Sequence, residues 1–387
     1  MKIIEARAYH LKAPLETPYQ TTFGAMTHRQ AVIVALTGDG GETGIGETYI
    51  NFPIWSPAGR MASYREAFLP EVSGADIDDI PSFMQALWRK YYRASLQGGA
   101  LGPTMQAVTA ISAALWDLRA KEAGKPLGRL FSENPADRVK LYGSGINPPF
   151  PRKALTEALD TGMDVFKLKL GYGDEIDRKN IEDLKILLGG GARLAVDVNR
   201  SWSFDRALHW MPYLADNDIA WLEEPLDPVA QHRYPELVER ATVPVAAGEN
   251  FLLPPGTDFG HENEWGLSLN ESGLAPDIIQ PALAKNCCFN DGVRLKELIE
   301  PGGKKIFPHF LGSAPGLAAS AQFAALTADP HLEWDINPNP LRTSLFSEPF
   351  TMADGGLELS GNPGIGWEMK KDMLETWTAD IVETTRR

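Results

Sequence analysis

ARLAVDVN (192–199), IAWLEEP (219–225) and VPVAAGEN (243–250) decide the fold of this chain. Each is a short apolar run closed by an acid: Asp197, Glu223 and Glu249, with 26 residues between successive acids (223 − 197 and 249 − 223). That interval is about one strand, one helix and two loops of a parallel α/β repeat. Consecutive strands of a parallel sheet end on the same side, so three carboxylates at three consecutive strand ends are expected to converge. Unpaired anions held together repel, and a hard divalent cation such as Mg²⁺ with oxygen ligands resolves the repulsion. Solvated loop acids have no reason to keep a βα period.

The alternation continues outward. LYGSGI (141–146), DVFKLKLG (164–171), PDIIQP (276–281), KKIFPHF (304–310) and HLEWDI (331–336) join the three runs above to give eight strands, with amphipathic stretches between them. Eight βα units predict a (β/α)₈ barrel with its active site at the C-terminal strand ends. The fifth-to-sixth connection, LLPPGTDFGHENEWGLSLNESGL (252–274), reads as a loop insertion plus a short helix. Residues 1–130 read instead as α+β: KIIEARAYHL (2–11), then a hairpin of RQAVIVALT (29–37) and IGETYI (45–50). A helix follows over 104–124, with Gly124 at its C-cap. The barrel occupies 131–337, and 338–387 is expected to return to the N-terminal domain.

A chain of 387 residues accommodates a barrel with an added domain. The formal charge of −14 argues against nucleic-acid or membrane-surface partners but not against an anionic small molecule, since a metal and lysines reverse the field locally. The cysteines, Cys287 and Cys288, are adjacent and provide no disulfide framework, which suits a reducing cytoplasm. The start of the chain does not read as a signal peptide, and no apolar run is long enough to span a membrane.

The strand ends carry further polar residues. Lys167 and Lys169 lie two apart on the second strand and so share its inner face. Lysines there are costly unless they meet an anion or act as bases, and a nearby cation would lower the pKa of one toward a useful base. His309 ends the seventh strand, one strand after Asp277, and a carboxylate on one imidazole nitrogen raises the basicity of the other. A base on each side of a metal suits abstraction of a proton next to a carboxylate.

With KLK, DVN, EEP, GEN, PD and PH on successive strands, the chain resembles the enolase superfamily, and within it the mandelate racemase subgroup, over essentially its whole length. The resemblance implies an α/β fold: a modified TIM (β/α)₈-type barrel with an N-terminal α+β capping domain completed by the C-terminal tail. It implies one Mg²⁺ per subunit on Asp197, Glu223 and Glu249, with Glu224 turned away. Lys169 would be a base, Lys167 would touch the substrate carboxylate, His309 and Asp277 would form a dyad, and Glu333 would supply a hydrogen bond. Asn199 matches a position at the substrate or metal. A homo-oligomer, dimer to octamer, is expected. Muconate-lactonizing and dipeptide-epimerase branches carry a lysine where this chain has Gln280, and lack the seventh-strand histidine. The ending HLEWDINPNPLR looks like members acting on acid sugars.

The shared half-reaction of that family is removal of the proton alpha to a carboxylate, giving a metal-stabilised enediolate. Reprotonation makes a racemase or epimerase, loss of a beta hydroxyl a dehydratase, and opening of a sugar-acid lactone a cycloisomerase. Lys169 and His309 together permit all three. A non-catalytic barrel would have lost a ligand or base, and a hydrolase or aldolase would use histidine ligands. Substrate choice is expected from two cap loops, 16–29 and 50–60, which offer Tyr19, Thr21, Thr22, His28 and Arg29, and Phe52 and Trp55. Arg29 reads equally as a solvent-facing strand residue, and Trp202 and Trp265 read as packing.

Overall fold

In the computed structural model the described residues are 1–21, 24–257 and 275–385, with backbone alone for 19–21 and 385. Strands β1 (Ile3–Thr21), β2 (Gly24–Gly38) and β3 (Thr43–Thr48) form an antiparallel meander. Alternation along β2 sends Val32, Val34 and Leu36 to the cap helices and Ala31, Ile33 and Ala35 to the core shared with the barrel. Both faces are buried, which is why this stretch is almost wholly apolar. The cap helices are α1 (Ser56–Ser63), α2 (Ile80–Gln97) and α3 (Leu101–Glu122). Asp79 caps α2 by accepting from Ser82 N at 2.9 Å. Gly124, at φ +62°, ends the turn after α3 in the left-handed region. A Cβ on Gly44 or Gly46 would lie 2.1 Å from Ala114 O or Ala110 O, so β3 rests directly on the alanine-rich backbone of α3.

All eight expected barrel strands form: β4 (Arg138–Ile146), β5 (Val165–Lys169), β6 (Arg193–Asp197), β7 (Leu222–Glu223), β8 (Val245–Ala247), β9 (Ile278–Ile279), β10 (Lys305–Ile306) and β11 (His331–Asp335). Between them run α4 (Arg152–Asp160), α5 (Asp174–Leu188), α6 (Phe204–Asp216), α7 (Tyr234–Arg240), α8 (Phe289–Ile299) and α9 (Ala314–Ala324). The parallel ladder runs from β10 down to β4, and β11 pairs with β4 in parallel. Among the described residues no ladder joins β10 to β11. The rings of Phe307 and His331, 4.5 Å apart, cover that seam.

An aromatic and aliphatic plug of Tyr142, Ala195, Trp221, Ala246, Ile278 and Phe307 fills the barrel floor. Its strands then step up two residues to a polar layer: Tyr142 to Ser144, Ala195 to Asp197, Trp221 to Glu223, Ile278 to Gln280 and Phe307 to His309. Val165 and His331 beside the plug lead likewise to Lys167 and Glu333. A pleat thus builds an inward-facing polar layer directly on a dry floor.

The C-terminal segment divides. Strands β12 (Met352–Ala353) and β13 (Gly356–Glu358) pair with each other and β13 with β4, whereas β14 (Thr378–Thr385) adds to β1 in the cap sheet. Among the described residues no helix is long and apolar enough to cross a membrane.

Candidate active site

Lys167 is fully buried on β5 and sits among acids. Its ammonium donates to Glu223, lies 2.7 Å from Glu333 Oε1 and 3.7 Å from Asp197 Oδ2. Burial alone would lower its pKa, but Glu223 and Glu333 hold it well above the ordinary lysine value. Lys169, one step nearer the strand end, donates to Asp197. Burial works to lower its pKa and Asp197 more than reverses this, so the protein's own side chains raise it.

Asp197 and Glu223 are register partners on adjacent strands. Burial pushes the Glu223 carboxyl up to about 8 although Lys167 opposes it, and Trp221 Nε1 and Gln280 Nε2 donate to its Oε2 at 3.1 and 2.6 Å. Glu224 turns away as expected: its Oε1 accepts from Gly248 N at 2.9 Å, and its backbone has φ +44°. Asn199 and Arg200 follow Asp197 at φ +45° and +61°. Non-glycine residues held in the left-handed region cluster at functional sites. Glu249 faces Lys285 Nζ at 3.2 Å and His309 Nδ1 at 3.0 Å. Burial raises its pKa, but His309 and Lys285 hold it well below the carboxylate range.

Asp197, Glu223 and Glu249 form an all-oxygen, buried donor set on three adjacent strand ends, which is the donor chemistry Mg²⁺ prefers. In the observed side-chain positions they do not converge: among the described residues no three His, Cys, Asp or Glu side chains group closely enough to hold an ion. Each acid meets an ammonium group: Asp197 that of Lys169, Glu223 that of Lys167 and Glu249 that of Lys285.

His309 Nδ1 stands 2.6 Å from Glu333 Oε2 as well as 3.0 Å from Glu249 Oε2. Burial lowers its pKa, and the two carboxylates overcome this to raise it to about 9. The expected dyad with Asp277 is not formed. Asp277 precedes the plug residue Ile278 and so lies at the opposite, N-terminal end of its strand, where its Oδ2 accepts from Val245 N at 2.9 Å. Glu333 occupies the place next to His309, and also accepts from Ser144 Oγ and Phe310 N.

Above the polar layer a cavity of about 320 Å³ is lined by Lys169, Asn199, Glu249 and His309 of the barrel, and by Arg29 and Phe52 among the cap residues. Lys167 and Glu333 lie beneath it and do not line it. Trp55 is 71 % exposed just before α1 and His28 bonds the Thr27 hydroxyl, so neither lines the cavity. The side chains of Tyr19 and Thr21, and Thr22 and Trp265, lie outside the described residues; Trp202 is core. Arg29 is buried and pairs with Asp335 at 2.9 Å rather than facing solvent. Tyr49, Asn51, Asn147, Arg200, Lys285 and Asp335 line the cavity without having been singled out. Of these, Lys285 in ALAKN and Asp335 in HLEWD carried the usable signal, as charges just past, or ending, a barrel strand.

The family model for the mandelate racemase/muconate lactonizing enzyme N-terminal domain matches residues 3–131, and that for the enolase C-terminal domain-like fold matches 152–373. D-galactarolactone cycloisomerase of Agrobacterium fabrum is 28 % identical over 97 % of this chain and 98 % of its own length. A mandelate racemase/muconate lactonizing enzyme structure from Bordetella bronchiseptica superposes with TM-score 0.82 at 30 % identity, covering 97 % of this chain and 99 % of that one. L-talarate dehydratase from a Polaromonas species, solved with Mg and L-glucarate, does so with TM-score 0.79 at 25 % identity over 100 % of both chains. Curated relatives include acid-sugar dehydratases, cycloisomerases and an epimerase, all isomerases or lyases. This chain, with a cap sheet over a barrel whose strand ends carry acids, lysines and a histidine, belongs to the enolase superfamily in its mandelate racemase/muconate lactonizing enzyme branch.

Proposed function

We propose that the enzyme removes the proton alpha to the carboxylate of an acid sugar or related hydroxy acid, and then epimerises it or eliminates water from the beta carbon. One observation carries this reading: Lys169 and His309, from strands on opposite sides of the acid-bearing strands, line the same cavity. Lys169 Nζ takes the alpha proton once Asp197 no longer holds it charged. With Nδ1 of His309 facing Glu333 and Glu249 at ion-pair distance, the nitrogen left for substrate is Nε2. From there it returns a proton to the opposite face of the alpha carbon, or protonates a departing beta hydroxyl. A magnesium ion held by Asp197, Glu223 and Glu249 would supply Lewis-acid polarisation of the substrate carboxylate. Asn51, Asn147, Asn199 and Asn250 line the cavity and offer both donors and acceptors to a polyhydroxy chain.

Opening of a sugar-acid lactone is the second reading, favoured by the 28 % identical galactarolactone cycloisomerase. A screen of aldonic acids, aldaric acids and their lactones in D₂O with added MgCl₂, followed by NMR, tests both. Alpha-deuteration with a 2-keto-3-deoxy product identifies dehydration, deuteration with an epimer identifies epimerisation, and consumption of lactone alone identifies cycloisomerisation. No deuteration of any acid tested would overturn the reading. With it go a cytoplasmic location and a homo-oligomeric assembly, the latter measurable by light scattering.

A further inference from the structure

The next-to-last residue of cap strand β3 is a glutamate whose side-chain partners all belong to the barrel. Glu47 is 4 % exposed. Its Oε1 accepts from Ser313 N at 2.8 Å, and its Oε2 accepts from Ser313 Oγ at 2.7 Å and from Gly316 N at 2.9 Å. These donors form the first turn of α9, a helix that its own N-cap residue, Ser313, does not cap. An anion at a helix N-terminus meets free N–H groups and the positive end of the dipole. Here that anion is supplied by the other domain. The fit is close: a Cβ on Gly316 would lie 2.8 Å from Glu47 Oε2 and 2.5 Å from Phe310 Cε2, and one on Gly312 would lie 2.6 Å from Glu47 Oε1.

The segment so held begins at His309. Three residues lie between His309 and Ser313, and the stretch that follows β3 secures them once more and the neighbouring rim loop as well. Asn51 Nδ2 donates to Leu311 O at 2.7 Å, and Tyr49 N donates to Ala284 O at 2.6 Å on the neighbouring rim loop beside Lys285. Phe310 N donates to Glu333 Oε2 at 3.2 Å, so the histidine's own carboxylate neighbour is fixed to the same stretch. The side chain of Asp277 lies at the other end of the sixth strand, which reaches His309 only through its backbone, His309 N donating to Pro281 O at 3.2 Å. We infer that Glu47 is a positioning residue for His309: it locks the 309–316 segment to the cap, so that seating of the cap and placement of the imidazole are one event. The functional part of this inference rests on the proposed role of His309.

Glu47→Gln tests it with almost no change in volume. Whichever end of the amide carries the NH₂ then opposes a backbone N–H, of Ser313 or of Gly316. Amide hydrogen exchange of 309–316 is expected to quicken at least tenfold while the floor strands are unchanged. A 1 Å misplacement costs about 100-fold, so kcat for product formation should fall about 10- to 100-fold with KM within about threefold. Alpha-proton exchange through Lys169 should persist. Gly316→Ala, which wedges the same carboxylate from the helix side, should act in the same direction and serves if Glu47→Gln folds poorly. Unaltered exchange at 309–316 overturns the inference. So does a parallel fall in alpha-proton exchange, product formation and melting temperature, which marks a general structural role. If the wild-type enzyme deuterates no acid sugar, the proposed reaction falls, and the exchange rates of 309–316 still decide whether Glu47 holds the His309 segment.

Discussion

Arg29 Nη2 lies 2.9 Å from Asp335 Oδ2, an ion pair that joins the second cap strand to the eighth barrel strand across the cavity wall. The two side chains are 9 % and 6 % exposed, and Arg29 Nε also donates to Pro338 O at 2.9 Å. Removing one member of a buried pair costs about 3–5 kcal/mol, and Asp335 keeps Arg342 Nη1 at 4.0 Å and hydrogen bonds from Asn337, which favours the lower end. Arg29→Ala is therefore expected to lower the unfolding free energy by about 3 kcal/mol. Adding Asp335→Ala should cost less than the sum of the single losses. Urea titrations of the four proteins measure the coupling, and strictly additive losses would show that the pair does not act as a unit.

The two cavity-lining bases divide the work in the proposed reaction. Lys169→Ala is expected to abolish alpha-proton exchange on the true substrate, with a rate loss of about 10²- to 10⁴-fold. His309→Asn is expected to stop product formation to a similar extent while exchange through Lys169 continues. Deuterium incorporation and product yield, followed in the same NMR tube, separate the two. Normal turnover in either variant would leave a one-base reaction.

Legibility in the sequence followed how local each signal was. The eight strands were readable because parallel strands buried on both faces appear as short continuous apolar runs. The acids that end three of them inherit a common side from the parallel register. Asp277 shows the limit: an acid beside a strand reads the same at either end, and only the two-residue ladder at Ile278–Ile279 places it below the floor. Arg29 and Asp335 meet across 306 residues (335 − 29), and Glu47 reaches Ser313 across 266, so neither pairing has a periodicity to betray it. Phe52 and Trp55 looked equivalent in one loop. The start of α1 just after Trp55 leaves that ring exposed, and only Phe52 lines the cavity.

Asp197 and Glu223 hold ammonium groups where the reading of the site places a cation. Chelation with EDTA is expected to abolish turnover, and MgCl₂ to restore it. Glu223→Gln removes one anionic ligand, and isothermal calorimetry should show Mg²⁺ affinity lowered at least tenfold with the fold retained by circular dichroism. Full activity in metal-free buffer would contradict the assignment of these carboxylates.

A pH effect on stability is expected far from these residues, at Asp291. Its side chain is fully buried at the start of α8, with Oδ1 accepting from Gly256 N at 3.2 Å and forming an ion pair with Arg294 Nη1 at 3.7 Å. Burial pushes the carboxyl up to about 7, against the opposing pull of Gly256 N and Arg294. The unfolded chain releases this proton near the ordinary value of about 4. The folded state therefore binds the proton more tightly, and the associated stability is complete below about pH 4 and lost as pH rises through about 7. The change is on the order of 4 kcal/mol by linkage. Asn is uncharged and keeps an oxygen for Gly256 N, so Asp291→Asn should be close to wild type at pH 4 and more stable at pH 8. Denaturant melts of both proteins at the two pH values isolate the effect from the other titrating groups. An equal difference at both would show that Asp291 does not carry its proton in the folded protein.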